Sequence, residues 1–462
     1  MTLDDRHDTW ATSDRFVPRT FVRPFLQFTQ VEAASGIVLL VAAAAALIWA
    51  NSGLSHAYVT VFDETRIQFT FGPVHLDETF AHIINDGLMA IFFFVVGLEI
   101  KRELVLGDLR DPKAASLPVL AALGGMIFPA LIYIAFAAPV GAGAARGWGI
   151  PMATDIAFVV GVISLLGKRV PSGAKLFILA LAIADDIGAI AVIAIFYTSD
   201  LRLGWLAAAL IGLVAVWVAQ RVKIRSLAFY VPLALAIWFA TLESGIHATL
   251  AGVALGFLTP ARALYSSQEL NRKARRILDT FPLGKSTHDE ERADYEAQLL
   301  SEIATESVAP LSRLERSLLP WSSFLVVPLF ALANAGVSFA GADLTNLAID
   351  RVALGVAVGL LVGKTVGITL FTFLAVRFGL ARLPARTGWN HIVGLAALGG
   401  IGFTVSLFVT GLAFNSAEFT DLAKVGIFTG SALSGILGSA LLWRSKPKAP
   451  QETEPEPVHL GA

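Results

Sequence analysis

Cysteine is absent from the sequence, which excludes disulfides, thiolate zinc sites and thiol nucleophiles in one step. Charge is scarce as well. Of the 462 residues, 15% are charged and 55% are apolar, where a soluble fold carries roughly a quarter charged residues. Lipid is therefore the expected solvent. A formal net charge of -1 offers no excess of basic surface, so nucleic acid is not expected as a partner. The first thirty residues lack the apolar run of a cleavable signal, and 1–30 reads as a polar cytoplasmic tail. Residues 445–462 place Pro447, Pro450, Pro455 and Pro457 among Lys and Glu and read as a second, disordered cytoplasmic tail.

Between the tails, 31–444 is dominated by long apolar runs. A hydrocarbon core about 30 Å thick takes roughly 20 apolar residues per helix. Candidate stretches lie near 32–50, 79–100, 115–138, 147–166, 173–197, 203–220, 226–241, 244–260, 318–339, 351–375, 390–413 and 423–443. The expected class is an all-α membrane protein with about 12 transmembrane helices. Basic residues collect on the cytoplasmic side of such proteins. Here 29 of the 35 Lys and Arg fall on one face, five (Arg66, Arg146, Arg202, Arg351, Lys424) on the other, and Lys364 lies inside a span. Both termini are thus expected in the cytoplasm.

Two loops stand out. Residues 51–78 lie outside, and Thr65 to Phe71 alternates polar and apolar before Gly72-Pro73. A small hairpin over about 64–76 is expected, its exposed edge able to pair with a second copy. The cytoplasmic insert 262–316 is charged throughout and is expected to be partly helical or disordered rather than a separate domain.

Charge at bilayer depth is costly and marks functional candidates. Asp155, Asp185, Asp186 and Lys364 qualify. Asp185 and Asp186 are neighbours near the centre of the fifth span and project about 100° apart on a helix. One can therefore meet a partner while the other faces a cavity, and the pair can hold protons or a small cation in competition. Lys364, mid-span, needs a counter-charge, and the buried aspartates lie at its depth. Thr154 and Asp155 follow Gly149-Ile150-Pro151, residues that let the fourth span break. Broken spans expose positive half-helix N-termini and negative C-termini, and Asp155 is expected to offset the positive ends. The alternative is a continuous helix with Asp155 bonded locally. Leu398-Gly399-Gly400-Ile401-Gly402-Phe403-Thr404 interrupts the eleventh span in the same way, as inverted repeats would, although close helix packing through small residues also accounts for these glycines. Glu99 and Glu103, one turn apart at the end of the second span, read first as a solvated helix end, with a cation-attracting mouth as the alternative. Asp86 and His247 read as structural.

These residues give the chain a close resemblance to the NhaA family of sodium/proton antiporters, whose inverted repeats and broken helices are known. The matching stretches are Ile84 to Ala90, Gly97 to Leu104, Ala153 to Phe158, Ala184 to Ala189, Ser244 to Gly252, Pro328 to Gly336, Val362-Gly363-Lys364 and Gly400 to Thr404. The resemblance implies that Asp185 and Asp186, with Thr154, form a shared sodium and proton site, and that Lys364 pairs with Asp185. It implies that Thr154 and Asp155 lie where two unwound spans, four and eleven, cross. Glu99 and Glu103 would join Glu315, at the start of span nine, in a pH-sensing cluster, and the 64–76 hairpin would hold a homodimer. The implied activity is electrogenic, pH-regulated exchange of intracellular sodium, and lithium, for external protons across the cell inner membrane, with no cofactor beyond the transported ions. Two departures stand out: a longer acidic insert around Asp289, Glu290, Glu291 and Glu296, and no histidine in Arg313 to Leu319. An intramembrane aspartyl protease, whose acids sit on separate helices, a retinal protein, with its lysine and aspartate counter-ion, and a passive cation channel, which Lys364 would obstruct, are the competing readings.

Overall fold

The computed structural model describes residues 32–71, 74–198, 201–282, 287–338 and 350–445. Both expected tails, apart from Ser445, and the Gly72-Pro73 turn lie outside the described residues. Among the described residues, seven helices are long and apolar enough to cross a membrane: α2 (Phe80–Val105), α3 (Pro112–Ala137), α6 (Ser172–Phe196), α7 (Leu203–Arg221), α12 (Pro310–Asn334), α13 (Arg351–Arg377) and α16 (Ala417–Arg444). Two further pairs are bent at a short break: α4 (Ala142–Met152) with α5 (Ile156–Leu166), by 40°, and α14 (Trp389–Leu398) with α15 (Phe403–Ala413), by 47°. Three shorter apolar helices, α1 (Glu32–Ala50), α8 (Leu227–Glu243) and α9 (Thr249–Leu258), lie where the remaining spans are expected. The external loop holds an antiparallel hairpin of β1 (Arg66–Phe71) and β2 (Val74–Thr79), with Arg66 opposite Thr79 and Phe71 opposite Val74.

The ends of several helices run past the apolar stretches because polar residues continue the helix beyond the hydrocarbon. α2 extends to Val105 rather than 100, and α16 begins at Ala417 rather than 423. α12 begins at Pro310, not 318, since proline suits the first helical position, so Glu315 sits within the helix. The 262–316 insert is correspondingly mostly helical, as α10 (Ser267–Asp279) and α11 (Thr287–Glu306).

The chain divides into two compact units, one within 1–81, 111–197 and 327–462, the other within 82–110 and 198–326. In the first, Asp111 caps α3 by accepting from the Lys113 N–H at 3.0 Å, and Pro112 fills the first position. α3 then packs along the second half of α13 at backbone contact: a Cβ on Gly124 would lie 2.2 Å from the Gly367 carbonyl oxygen, and one on Gly367 2.1 Å from that of Gly124. Without a hydrophobic drive between helices in lipid, small residues of this kind let spans approach. In the second unit, α2 and α9 meet the same way, a Cβ on Gly252 falling 2.2 Å from the Ala90 oxygen. α7, α8 and α9 share a core of Val216, Ile237 and Ala251.

Because Gly367 stands three residues from Lys364 on the face that α3 touches, Gly367→Ala must push the two helices apart. Overpacking of this kind costs about 1–3 kcal/mol. A lowered unfolding temperature in detergent is expected, and an unchanged one would show that the contact yields without cost.

Candidate functional site

The site lies wholly within the first unit, where α3, α6, α13 and the two broken spans contribute to one buried cluster. On α6, Asp185 is 1% exposed and Asp186 8%, and Lys364 on α13 is fully buried. Lys364 Nζ donates to Asp185 Oδ2. The same oxygen accepts from Thr154 Oγ1 at 2.7 Å, while Asp185 Oδ1 has no hydrogen-bond partner among the described residues. Residues 359–363 form a wider π-helical turn directly before Lys364, a local change of pitch often found at functional positions. Gly125 on α3 lets α13 close in beside the lysine, a Cβ there falling 2.9 Å from Ile368 Cγ1.

A buried ammonium and carboxylate each lose several kcal/mol of hydration, and losing one partner strands the other at a cost of about 3–5 kcal/mol. The pair is therefore stable only while something positive stands at Asp185. Thr154 adds a constraint of a different kind. Its hydroxyl carries one hydrogen but faces two acceptors, Asp185 Oδ2 at 2.7 Å and the Gly399 carbonyl at 2.8 Å. It can satisfy only one at a time, so its choice is tied to what else occupies the carboxylate.

Asp155 organises the crossing of the broken spans. Its Oδ1 accepts from the Phe158 N–H at 3.0 Å, capping α5. Its Oδ2 accepts from the Thr404 N–H at 3.1 Å and from Thr404 Oγ1 at 2.6 Å, in the first turn of α15. Its own N–H donates to the Ile401 carbonyl at 2.7 Å. One carboxylate thus meets the positive ends of two half-helices. The break is real rather than a continuous helix, and the reading of Asp155 as a merely local bond is set aside. The carbonyl ends are met by hydroxyls: Thr154 reaches Gly399 at the end of α14, and Ser406 Oγ donates to the Ile150 carbonyl of α4 at 2.8 Å. Ser431 Oγ accepts from the Gly402 N–H at 3.3 Å. The glycines serve this crossing as well as packing, since a Cβ on Gly400 would lie 2.3 Å from the Leu360 oxygen.

Glu99, Glu103 and Glu315 lie in the second unit, apart from the cluster above. Arg102 Nη1 donates to Glu315 Oε1 at 2.6 Å, and Glu99 stands in the field of Glu315, Arg102 and Glu103. Asp86 accepts from His82 Nε2 at 2.8 Å, and its carbonyl accepts from Trp238 Nε1 at 3.0 Å, in keeping with a structural role. Sequence reasoning missed four contributors: Thr404, Ser406, Ser431 and Arg102. A hydroxyl in the first turn after a Gly-rich break was the available signal for Thr404 and Ser406.

With Asp155 capping two helices, Asp155→Ala is expected to cost about 1–2 kcal/mol per cap, read as a fall in unfolding temperature. Asp155→Asn, which keeps an accepting oxygen, should lose less. Equal losses would show that charge, not capping, is what the position supplies.

Residues 26–442 match the family model described as Na+/H+ antiporter 1. Among curated relatives, a Na+/H+ antiporter NhaA of Anaeromyxobacter sp. is 47% identical over 423 residues, covering 91% of this chain and 91% of the relative. Proteins of the same name from Rhodopirellula baltica and Koribacter versatilis are 44% and 43% identical, covering 93% and 96% of this chain and 95% and 96% of their own lengths.

Proposed function

The chain belongs to the NhaA family of Na+/H+ antiporters, and on that premise we propose that Asp185 and Asp186, with Thr154, bind sodium and protons in turn, and that Lys364 holds the sodium-free state. One observation carries this reading: a buried carboxylate bonded at once to an ammonium and a hydroxyl, with its second oxygen unpaired, beside the crossing of two broken spans. Sodium, as cargo, can replace the ammonium as the positive group at Asp185. Asp186 must then be ionised, so its proton leaves. Lys364, no longer paired in a dry site, can surrender its own. More protons than sodium ions then move per cycle, which makes exchange electrogenic and lets the membrane potential drive sodium, and lithium, outward.

The Asp155-centred crossing supplies the device for alternating access: half-helices whose ends are satisfied by side chains can shift without exposing bare backbone dipoles. The two bent pairs, one in each half of the chain, act as inverted repeats. α1, α8 and α9 complete the expected twelve spans of a multi-pass inner-membrane protein, with both termini in the cytoplasm as the basic residues require. Among the described residues the hairpin is a two-stranded sheet, which strands of a second copy could extend, and this favours a homodimer through 64–76. Glu99, Glu103 and Glu315, linked through Arg102, act as the pH-sensing group, and the physiological role is pH homeostasis and salt tolerance. An intramembrane protease is disfavoured because both acids are consecutive on α6, and a passive channel because a buried ammonium stands at its acids.

In everted vesicles holding a pH gradient, added sodium should dissipate the gradient, and Asp186→Asn should abolish the response. Full exchange by that variant would refute the site. Lys364→Ala should be milder and move the pH profile of exchange to higher pH, because the stranded Asp185 carboxylate then takes a proton in the lysine's place, and that proton must leave before sodium binds. A profile left in place would remove Lys364 from the cycle.

A further inference from the structure

The helices α10 and α11 of the insert have no part in the exchange described above, yet their charge is sorted. α10 carries four basic residues, Arg272, Lys273, Arg275 and Arg276, against Glu269 and Asp279, whereas α11 carries seven acidic residues against Arg292 alone. The two helices pack on each other, and each buries one isoleucine, Ile277 and Ile303. At 100° per residue, Leu270, Ala274 and Ile277 share one face of α10, while Arg272, Arg275 and Arg276 share the opposite, exposed face. Leu278, 58% exposed, flanks that basic face.

The helix is firmly started. Ser266 and Glu269 form a reciprocal capping box, with Ser266 N–H donating to Glu269 Oε2 at 2.8 Å and Glu269 N–H to Ser266 Oγ at 3.3 Å. These bonds hold the Glu269 carboxyl below the usual glutamate range, so the cap stays ionised. Its base is clamped too. Leu264 N–H donates to the Glu306 carbonyl at 3.0 Å and Leu311 N–H to the Pro260 carbonyl at 3.1 Å, tying the entering and leaving chains together. From Pro260 to Ser267 the chain spans about 25 Å at most.

The residues beside the clamp are of the kind found at the ends of membrane spans. Pro260 lines an open cavity of about 350 Å³ with Lys101, Trp217, Gln220, Arg221, Phe257 and Leu258. Within it the Arg221 guanidinium lies over Trp217 at 4.9 Å, and Lys101 Nζ donates to the Phe257 carbonyl at 2.6 Å. Aromatic and basic residues at span ends mark the lipid–water boundary.

We propose that the Arg272, Arg275 and Arg276 face of α10 rests on the anionic headgroups of the cytoplasmic leaflet. The acidic helix α11 turns away from that leaflet, so that the two-helix insert is oriented by lipid charge. An anionic surface attracts one side of the hairpin and repels the other, and the clamped base leaves α10 within reach. The leaflet's field decays within a Debye length, so the contact depends on salt. The proposal rests on the membrane placement given above and not on the transport chemistry, so loss of exchange and loss of lipid contact are separate failures.

The absence of cysteine allows a test on the full chain. Gln268→Cys, which lies between Arg272 and Arg275 on the exposed face, takes a single fluorophore, and the protein is placed in nanodiscs containing headgroup spin-labelled lipid. With about a third phosphatidylglycerol, quenching should be at least about threefold stronger than in phosphatidylcholine alone, and should fall back in about 0.5 M salt. R272E/R275E/R276E should abolish the difference, the three charges together being worth on the order of a hundredfold in association. R272K/R275K/R276K should retain it and guards against loss by misfolding. Equal quenching in neutral and anionic discs overturns the proposal. So does a salt-sensitive signal that tracks the number of copies per disc, because the partner would then be α11 of a second copy.

Discussion

A carboxylate at Asp185 that must always face a positive group governs the site. In this structure the group is Lys364, and both charges are withdrawn from water. Such a pair adds little net stability over a well-packed apolar pair of the same size, and its worth lies in what breaking it demands. Any cation that reaches Asp185 relieves the same stranded charge, so in the proposed exchange sodium and the protonated lysine are alternatives rather than companions. The single hydroxyl hydrogen of Thr154, placed between Asp185 and the Gly399 carbonyl, links that choice to the backbone at the break of α14.

The surroundings follow from the same need to leave nothing polar unmatched in a dry interior. Two helices are broken beside the site, and each break frees N–H and carbonyl groups that lipid cannot satisfy. Asp155 meets both N-terminal ends, and Thr154 and Ser406 meet carbonyl ends. Small residues then let neighbouring backbones close around the crossing, as Gly124 and Gly367 do between α3 and α13. The polar groups of the crossing are therefore held by side chains contributed from both breaks.

Much of this was legible in the residues alone. Asp185, Asp186 and Lys364 announced themselves because a charge in the middle of an apolar run has no cheap explanation, and the Gly-Pro and Gly-Gly interruptions announced the breaks. The double cap by Asp155 was only half legible. Its own helix could be foreseen, but the N–H and hydroxyl of Thr404 come from 249 residues further along, a distance over which spacing carries no information. Ser406 was hidden for the same reason. The start of α12 was misplaced because hydropathy sees where lipid contact begins, whereas a helix begins where its backbone is capped or a proline suits its first turn. Arg102 was hidden because its contact with Glu315 is a tertiary meeting of two helix ends.

Competition between sodium and protons for one pair of acids is tested most directly by proton release on sodium binding by the purified protein in weak buffer. Adding sodium near neutral pH should acidify the solution, with no acidification on adding a bulky organic cation and none for Asp186→Asn. Sodium binding without released protons would contradict the central claim.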